Sequence, residues 1–128
     1  MSWLYEICSG KLYEASGALV AIGYSGDPLH KNDPQAVALH NEGPIPPGTF
    51  DIGPPHDTAE HGPYVLSLTP DPGNEMYGRA GFLMHGDSVA APGTASEGCV
   101  IMPRSIREQV WTSGDRVLTV VTRMGGEQ

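Results

Sequence analysis

Glycine and proline recur along the whole sequence, and they restrict the chain to short secondary-structure elements joined by turns. There are 17 Gly and 12 Pro among 128 residues. Proline removes a backbone donor and glycine weakens helices, so long regular elements are disfavoured. A chain of this length can bury one hydrophobic core but is too short for two ordinary domains. We therefore predict a single domain over residues 1–128 that turns often, with residues 124–128 frayed.

Alternation of apolar and polar residues predicts a mainly β fold. Trp3, Tyr5 and Ile7 alternate with small or polar residues, and turns at Ser9-Gly10 and Ser16-Gly17 divide the first 24 residues into a three-stranded meander. The remaining expected elements are strands at 49–52, 64–68, 81–85 and 116–122 and one short helix at 105–111. Such a set of elements favours a small β-sandwich or barrel.

The long Gly- and Pro-rich loop at residues 25–47 is unusual inside a small domain. Loops of this length without secondary structure of their own are commonly functional. We expect this loop to border the functional site.

The charge balance excludes several classes of partner. The formal net charge is -8, from 15 acidic and 7 basic residues, with no cluster of Lys or Arg. Nucleic acids and anionic lipids are bound through such clusters, so neither is an expected partner. No apolar stretch approaches the roughly 20 residues that span a bilayer. The first residues also lack the basic and apolar regions of a secretory signal, so export by the general pathway is not expected.

The strongest chemical signal is a cysteine that follows a histidine by fourteen positions. Cys99 stands in Ser96-Glu97-Gly98-Cys99, and His85 ends the apolar run Phe82-Leu83-Met84. A cysteine attacks as its thiolate, and a neighbouring imidazole can take the proton. The small-residue segment 90–95 can return the chain so that the two residues meet. We predict that Cys99 is a nucleophile and that His85 is its base.

Other interpretations of the two residues remain open. A cysteine is often a packing residue, and His85 could be a core histidine. A disulfide between Cys8 and Cys99 could instead stabilise a small domain. A thiol pKa below its ordinary value would favour catalysis over mere binding.

Further candidate roles fall on Gly98, Arg79 and the loop histidines. Gly98 lacks a Cβ and can let substrate approach the sulfur, and its amide or that of Cys99 could donate to an oxyanion. Arg79 could hold a substrate carboxylate, or form a surface ion pair with Glu75 or Asp71. No tight zinc signature occurs, so a metal site is not expected, although loop histidines with Asp57 or Glu60 offer an alternative. These loop histidines are His30, His40, His56 and His61, which are otherwise expected on the solvated surface.

With these motifs together, the sequence resembles the Tlde1 family, small L,D-transpeptidase-like toxin domains delivered by type VI secretion systems. The matching motifs cover most of the chain. They are Trp3-x-Tyr5, Gly23-Tyr24-Ser25-Gly26, Gly43-Pro44-Ile45-Pro46-x-Gly48-x-Phe50, Gly78-Arg79-x-Gly81-Phe82-x-x-His85-Gly86-Asp87 and Ser96-x-Gly98-Cys99.

The resemblance implies an L,D-transpeptidase-like β-sandwich or barrel with one short helix after the catalytic cysteine, and no cofactor. It implies that Cys99 attacks the amide between diaminopimelate and D-alanine in tetrapeptide stems of peptidoglycan. The acyl group then passes to water or to a free D-amino acid. A backbone carbonyl just after the base orients His85, so the candidates are Gly86, Asp87 and Ser88, with the side chain of Asp87 as an alternative.

The resemblance also suggests substrate-binding residues and partners. The candidate substrate-binding residues are Arg79, Ser96, Gly98 and Tyr24. The implied partners are a type VI delivery component and a periplasmic immunity protein, and the implied place of action is the target-cell periplasm. Larger L,D-transpeptidases have His and Asn where this chain has Glu97 and Ile101. A non-catalytic peptidoglycan-binding module on the same scaffold is the alternative function.

Overall fold

A computed structural model of the protein describes residues 2–123, so the predicted fraying of 124–128 lies outside the described residues. The described part forms ten short strands, one α-helix and one 3-10 turn. These are β1 (Trp3–Glu6), β2 (Lys11–Tyr13), β3 (Leu19–Ile22), β4 (Tyr24–Ser25), the 3-10 turn (Pro34–Ala36), β5 (Gly48–Ile52), β6 (His56–Thr58), β7 (Gly62–Pro70), β8 (Leu83–His85), β9 (Val100–Ile101), α1 (Arg104–Thr112) and β10 (Val117–Val121).

The strands form one strongly curved sheet. Nine of the described strands follow the order β3-β2-β1-β10-β5-β7-β8-β9-β4, and β6 pairs with one end of β7. Most neighbours are antiparallel, but β1 pairs with β10 in parallel and β8 pairs with β9 in parallel. The second parallel pair is the one that carries the candidate site.

The two ends of this sheet are consecutive in the chain, because only Gly23 separates β3 from β4. The Gly23 amide donates to the Gly10 carbonyl at 2.8 Å, which continues the pairing of β3 with β2 as far as the start of β4. A Cβ built on Gly23 would lie 1.9 Å from the carbonyl oxygen of Ile101. Only glycine permits this approach. The result is a nearly closed, barrel-like sheet.

Apolar side chains from both halves of the sheet fill its interior. Tyr5, Leu12, Phe50, Met84 and Leu118 have no exposed surface. Burial of an apolar side chain of this size contributes about 1.5–3 kcal/mol. Because Met84 and Val100 point into this core, their neighbours along β8 and β9 point to the opposite face, where the site lies.

Helix α1 covers the region of β7 and β8. It begins after Pro103 and buries Val110 and Arg107. The Arg107 guanidinium donates to the carbonyl oxygens of Pro63, Tyr64 and Met102, which joins the helix to the start of β7 and the end of β9.

The expected mainly β architecture with one short helix after Cys99 is confirmed. The N-terminal meander pairs as predicted, and β5, β10 and α1 lie within a residue or two of their predicted bounds. The strand expected at 81–85 begins only at Leu83, since Gly81 has a φ of +77°. The sequence patterns did not predict β4, β6 and β9.

Candidate functional site

The register of β8 and β9 places His85 and Cys99 on the same face. Met84 pairs with Val100 and His85 pairs with Ile101. Cys99 immediately precedes β9, so it lies one diagonal step from His85 on the face opposite the core. Both residues line one cleft of about 680 Å³. The loop 25–47 borders it through His40 and Asn41, as expected for that loop.

His85 is held in one orientation by the residue that follows it. Its Nδ1 lies 2.9 Å from the Gly86 carbonyl oxygen, which can only accept a hydrogen bond. Nδ1 therefore carries the hydrogen, and Nε2 presents its lone pair when the ring is neutral. Nε2 is buried and has no hydrogen-bond partner among residues 2–123.

The surroundings of His85 favour the neutral ring. Burial lowers its pKa, the hydrogen bond with Gly86 opposes this shift, and the nearby His61 and Arg107 lower the pKa further. As the pH falls below neutral, the His85 ring therefore stays unprotonated to a lower pH than an exposed histidine would.

The thiol of Cys99 is also neutral at rest. Burial raises the pKa of Cys99 to about 11; a backbone hydrogen bond with Leu83 opposes the shift, and the carboxylate of Glu97 adds to it. This direction is opposite to the depressed pKa that the sequence-based argument associated with catalysis. The site therefore holds a neutral thiol and a neutral imidazole rather than an ion pair.

Ser96 and Gly98 shape the turn that precedes Cys99. The buried Ser96 hydroxyl donates to the Cys99 carbonyl oxygen at 2.7 Å and accepts from the amides of Gly26 and Gly98. Because the Gly98 amide is used in this way, the amide of Cys99 is the remaining candidate donor to an oxyanion. The φ of Gly98 is +133°, and a Cβ there would lie 2.2 Å from Nη2 of Arg79. Substrate contact by Ser96 or Gly98 stays a prediction.

Arg79 is buried, and the protein backbone already surrounds its guanidinium. Nη1 donates to the carbonyl oxygens of Val37 and Pro44 at 2.6 and 2.8 Å. Nη2 donates to those of Gly43 and Glu97 at 2.9 and 3.5 Å. The observed partners are therefore carbonyls of two loops, in place of the predicted ion pair with Glu75 or Asp71. The predicted grip on a substrate carboxylate is untested, but the terminal N–H groups already have acceptors.

Tyr24 and Asp87 fasten the loop that joins β8 to Cys99. The Tyr24 hydroxyl donates to Oδ1 of Asp87 at 2.6 Å and accepts from the Ala95 amide at 3.0 Å. The Asp87 carboxylate also accepts from the amides of Ser88 and Gly93. Among the three candidates for orienting His85, the structure places the Gly86 carbonyl against the ring, while the side chain of Asp87 is directed to this loop.

A comparison with protein families identifies the domain. The family model of the Tlde1 domain matches residues 20–125, which is nearly the whole chain. The chain belongs to the Tlde1 family. This membership supports a role as a type VI secretion effector. Neither a curated protein nor a solved structure matches the chain.

The Tlde1 match includes every candidate site residue, from Tyr24 to Cys99. The alternative of a disulfide between Cys8 and Cys99 is wrong, because both cysteines are free thiols. No helix within residues 2–123 has the length and apolar character needed to cross a membrane.

Histidines of this Tlde1 domain have more specific surroundings than the sequence predicted. The Nε2 of His40 lies 2.7 Å from the Tyr77 carbonyl oxygen. Asp27, His30 and Glu42 are close enough together to act as metal ligands, but His30 already hydrogen-bonds Asp27 at 2.8 Å. Neither of the carboxylates considered for zinc, Asp57 and Glu60, belongs to this group.

His61 is the site residue that the sequence patterns missed. It was expected on the solvated surface, yet its ring stacks on that of His85 with centroids 4.2 Å apart. The contact depends on the β6–β7 hairpin, and no local pattern around His61 predicted that hairpin.

Proposed function

We propose that this Tlde1 domain is a cysteine-dependent L,D-carboxypeptidase and D-amino-acid exchange enzyme of peptidoglycan tetrapeptide stems. The observation that carries the proposal is the arrangement of His85 and Cys99 on adjacent strands of one cleft, with Nε2 of His85 buried and without a hydrogen-bond partner in the described chain. A neutral imidazole held through Nδ1 is the form that can accept a proton from a thiol.

In the proposed first half-reaction, Sγ of Cys99 attacks the carbonyl carbon of the amide between diaminopimelate and D-alanine. The thiol proton passes to Nε2 of His85 as the C–S bond forms. The tetrahedral intermediate then collapses, its C–N bond breaks, and the proton on Nε2 passes to the departing D-alanine amine. The product is a thioester on Cys99.

In the second half-reaction, water or the amine of a free D-amino acid attacks the thioester carbonyl. Nε2 takes a proton from the attacking group, the C–S bond breaks, and that proton returns to the sulfur. Water gives a tripeptide stem, and a D-amino acid gives a tetrapeptide with an exchanged end. Both outcomes consume tetrapeptide stems that end in D-alanine.

The pKa values support a general-base route rather than a preformed thiolate. Because the pKa of Cys99 is raised and that of His85 is lowered, the resting pair is uncharged. Proton transfer then accompanies attack, which suits a buried site, where separated charges are costly. No cofactor enters the proposed reaction.

The proposed biological setting follows from family membership. A type VI secretion component delivers the toxin, and the toxin acts in the target-cell periplasm. The producing cell protects itself with a periplasmic immunity protein.

A non-catalytic peptidoglycan-binding module is the second candidate. The raised pKa of Cys99 favours it, since a thiol that titrates far above neutral pH is a poor nucleophile without a base. The two candidates differ in whether the tetrapeptide is altered, so product analysis separates them.

The test uses the purified protein with tetrapeptide muropeptides, with and without D-methionine, and mass analysis of the products. The wild type should release D-alanine and, with D-methionine present, form the exchanged stem. Cys99→Ala should abolish both products, and His85→Gln should reduce turnover by about 10²–10⁴-fold, the usual contribution of a general base. Cys8→Ala is the matched control and should retain activity.

Thermal melting of each variant shows whether lost activity reflects lost structure. Full turnover by Cys99→Ala would refute the nucleophile. Muropeptide binding by the wild type without any change in the muropeptide would establish the binding module instead.

A further inference from the structure

The β6–β7 hairpin brings a second imidazole onto the candidate base. The rings of His61 and His85 are 4.2 Å apart between centroids and inclined by 28°, which is a stacked arrangement. His61 also lines the cleft that contains Cys99. The contact joins residues that are 24 positions apart and belong to different elements.

Local hydrogen bonds hold His61 in this position. Its amide donates to the hydroxyl of Thr58 at 2.7 Å, across the tip of the hairpin. Its Nε2 lies 3.4 Å from a carboxylate oxygen of Glu60. The His61 side chain is 24% exposed, whereas that of Glu60 is 84% exposed, so the imidazole is the partly enclosed member of the pair.

The other groups near His85 interact with it in different ways from the stacked ring of His61. The Gly86 carbonyl binds Nδ1 at the ring edge. Arg107 approaches from α1, and Asp87 follows His85 in the chain; both act on it through their charges. Of these neighbours, only His61 is both stacked on the base and part of the cleft wall. Its ring therefore separates one face of His85 from the solvent of the cleft.

We propose that His61 is a positioning residue for His85, whose stacked ring excludes water from the base and fixes the imidazole plane with Nε2 available to Cys99. The catalytic part of this inference rests on the proposed function, while the structural part does not. A flat ring suffices for this role, so a phenyl ring at position 61 should replace the imidazole.

The consequence is a difference in the titration of His85. Burial is the main reason that the pKa of His85 is lowered, and the nearby His61 lowers it further. Removing the side chain at position 61 admits water and also removes a potential like charge. Both changes raise the pKa of His85. A phenyl ring at position 61 removes the potential charge but still shields His85 from water, so it should raise the pKa of His85 by less.

The experiment compares His61→Ala and His61→Phe in the full chain, with His56→Ala as the control. His56 lies on the same hairpin but is exposed and outside the cleft. The imidazole signals of His85 are followed by NMR as the pH is lowered, which needs no turnover. His61→Ala should give the largest rise in the pKa of His85, His61→Phe a smaller one, and His56→Ala none.

Muropeptide turnover then tests the catalytic part. At neutral pH, kcat/KM should fall roughly two- to tenfold in His61→Ala, the range to which aromatic stacking energies correspond. The acid limb of the kcat/KM profile of His61→Ala should move to higher pH. The kcat/KM of His61→Phe at neutral pH should stay near that of the wild type.

Two results would overturn the inference. If the pKa of His85 is the same in His61→Ala and in the wild type, the ring does not shield the base. If His61→Phe loses as much kcat/KM as His61→Ala, the imidazole itself takes part in the chemistry. A wild type that leaves muropeptides unchanged refutes the proposed function but leaves the NMR comparison interpretable.

Discussion

Arg79 offers the sharpest test of how the site is built, because its substitution separates a structural role from substrate binding. In Arg79→Met, the carbonyl oxygens of Val37, Gly43 and Pro44 lose donors that lie 2.9 Å away or closer. An unsatisfied buried acceptor costs about 1–3 kcal/mol. The lower value applies here because water from the cleft can reach part of the space. We therefore expect the free energy of unfolding to fall by about 3 kcal/mol.

Urea unfolding measured by circular dichroism gives this difference directly, and for a domain of this size it corresponds to a fall in Tm of roughly 10 °C. Arg79→Lys should recover only part of the loss, since one ammonium group cannot reach all the carbonyls in the fork geometry of a guanidinium. Arg104→Met is the control: Arg104 pairs with Glu108 on the surface, and such a pair contributes about 0–1 kcal/mol.

The opposite result is equally clear. If Arg79→Met unfolds at the same urea concentration as the wild type but has a raised KM for muropeptides, Arg79 binds substrate and the loop contacts are incidental. A loss of stability equal to that of Arg104→Met would also refute the reasoning.

Two further predictions concern the turn and the sulfur. Gly98→Ala should lower the free energy of unfolding, measured in urea, by about 1–3 kcal/mol more than Gly17→Ala does. Both glycines have positive φ, but only the Cβ at position 98 would meet a guanidinium. Equal losses in the two variants would show that this contact is relieved at no cost. In a Cys8→Ala background, the rate of iodoacetamide labelling of Cys99 should rise about tenfold per pH unit from pH 7 towards 11, because burial holds the thiol in its neutral form. A labelling rate that is already independent of pH near pH 7 would reveal a resting thiolate.

Sequence patterns predicted the fold wherever an element was long enough to show a period. The alternation in β1 and the β-branched run in β10 are examples. A two-residue strand such as β9 has no period to detect, and it exists because the chain after Cys99 pairs with β8. The order of strands likewise depends on contacts between distant segments, which local patterns do not contain.

The candidate site likewise combines features that the sequence predicts with features that depend on contacts between distant segments. Residue type and family resemblance predicted Cys99 and His85 as nucleophile and base, and the structure brings both residues to one cleft, while their roles stay a prediction. The surroundings of Arg79 and Ser96 could not be predicted, because a polar side chain near a reactive cysteine looks the same in sequence whether its hydrogen bonds go to substrate or to backbone. The stack of His61 on His85 depends on a hairpin register that only the folded chain defines.

The parallel pairing of β1 with β10 has a consequence for how the domain forms. β10 lies between β1 and β5, so the N-terminal meander and the strands of the site are joined side by side only through a strand near the end of the described chain. Contacts between segments so distant in sequence form slowly, because the intervening chain must first lose much of its freedom. During synthesis on the ribosome, we therefore expect the sheet to stay incomplete until β10 has emerged from the exit tunnel.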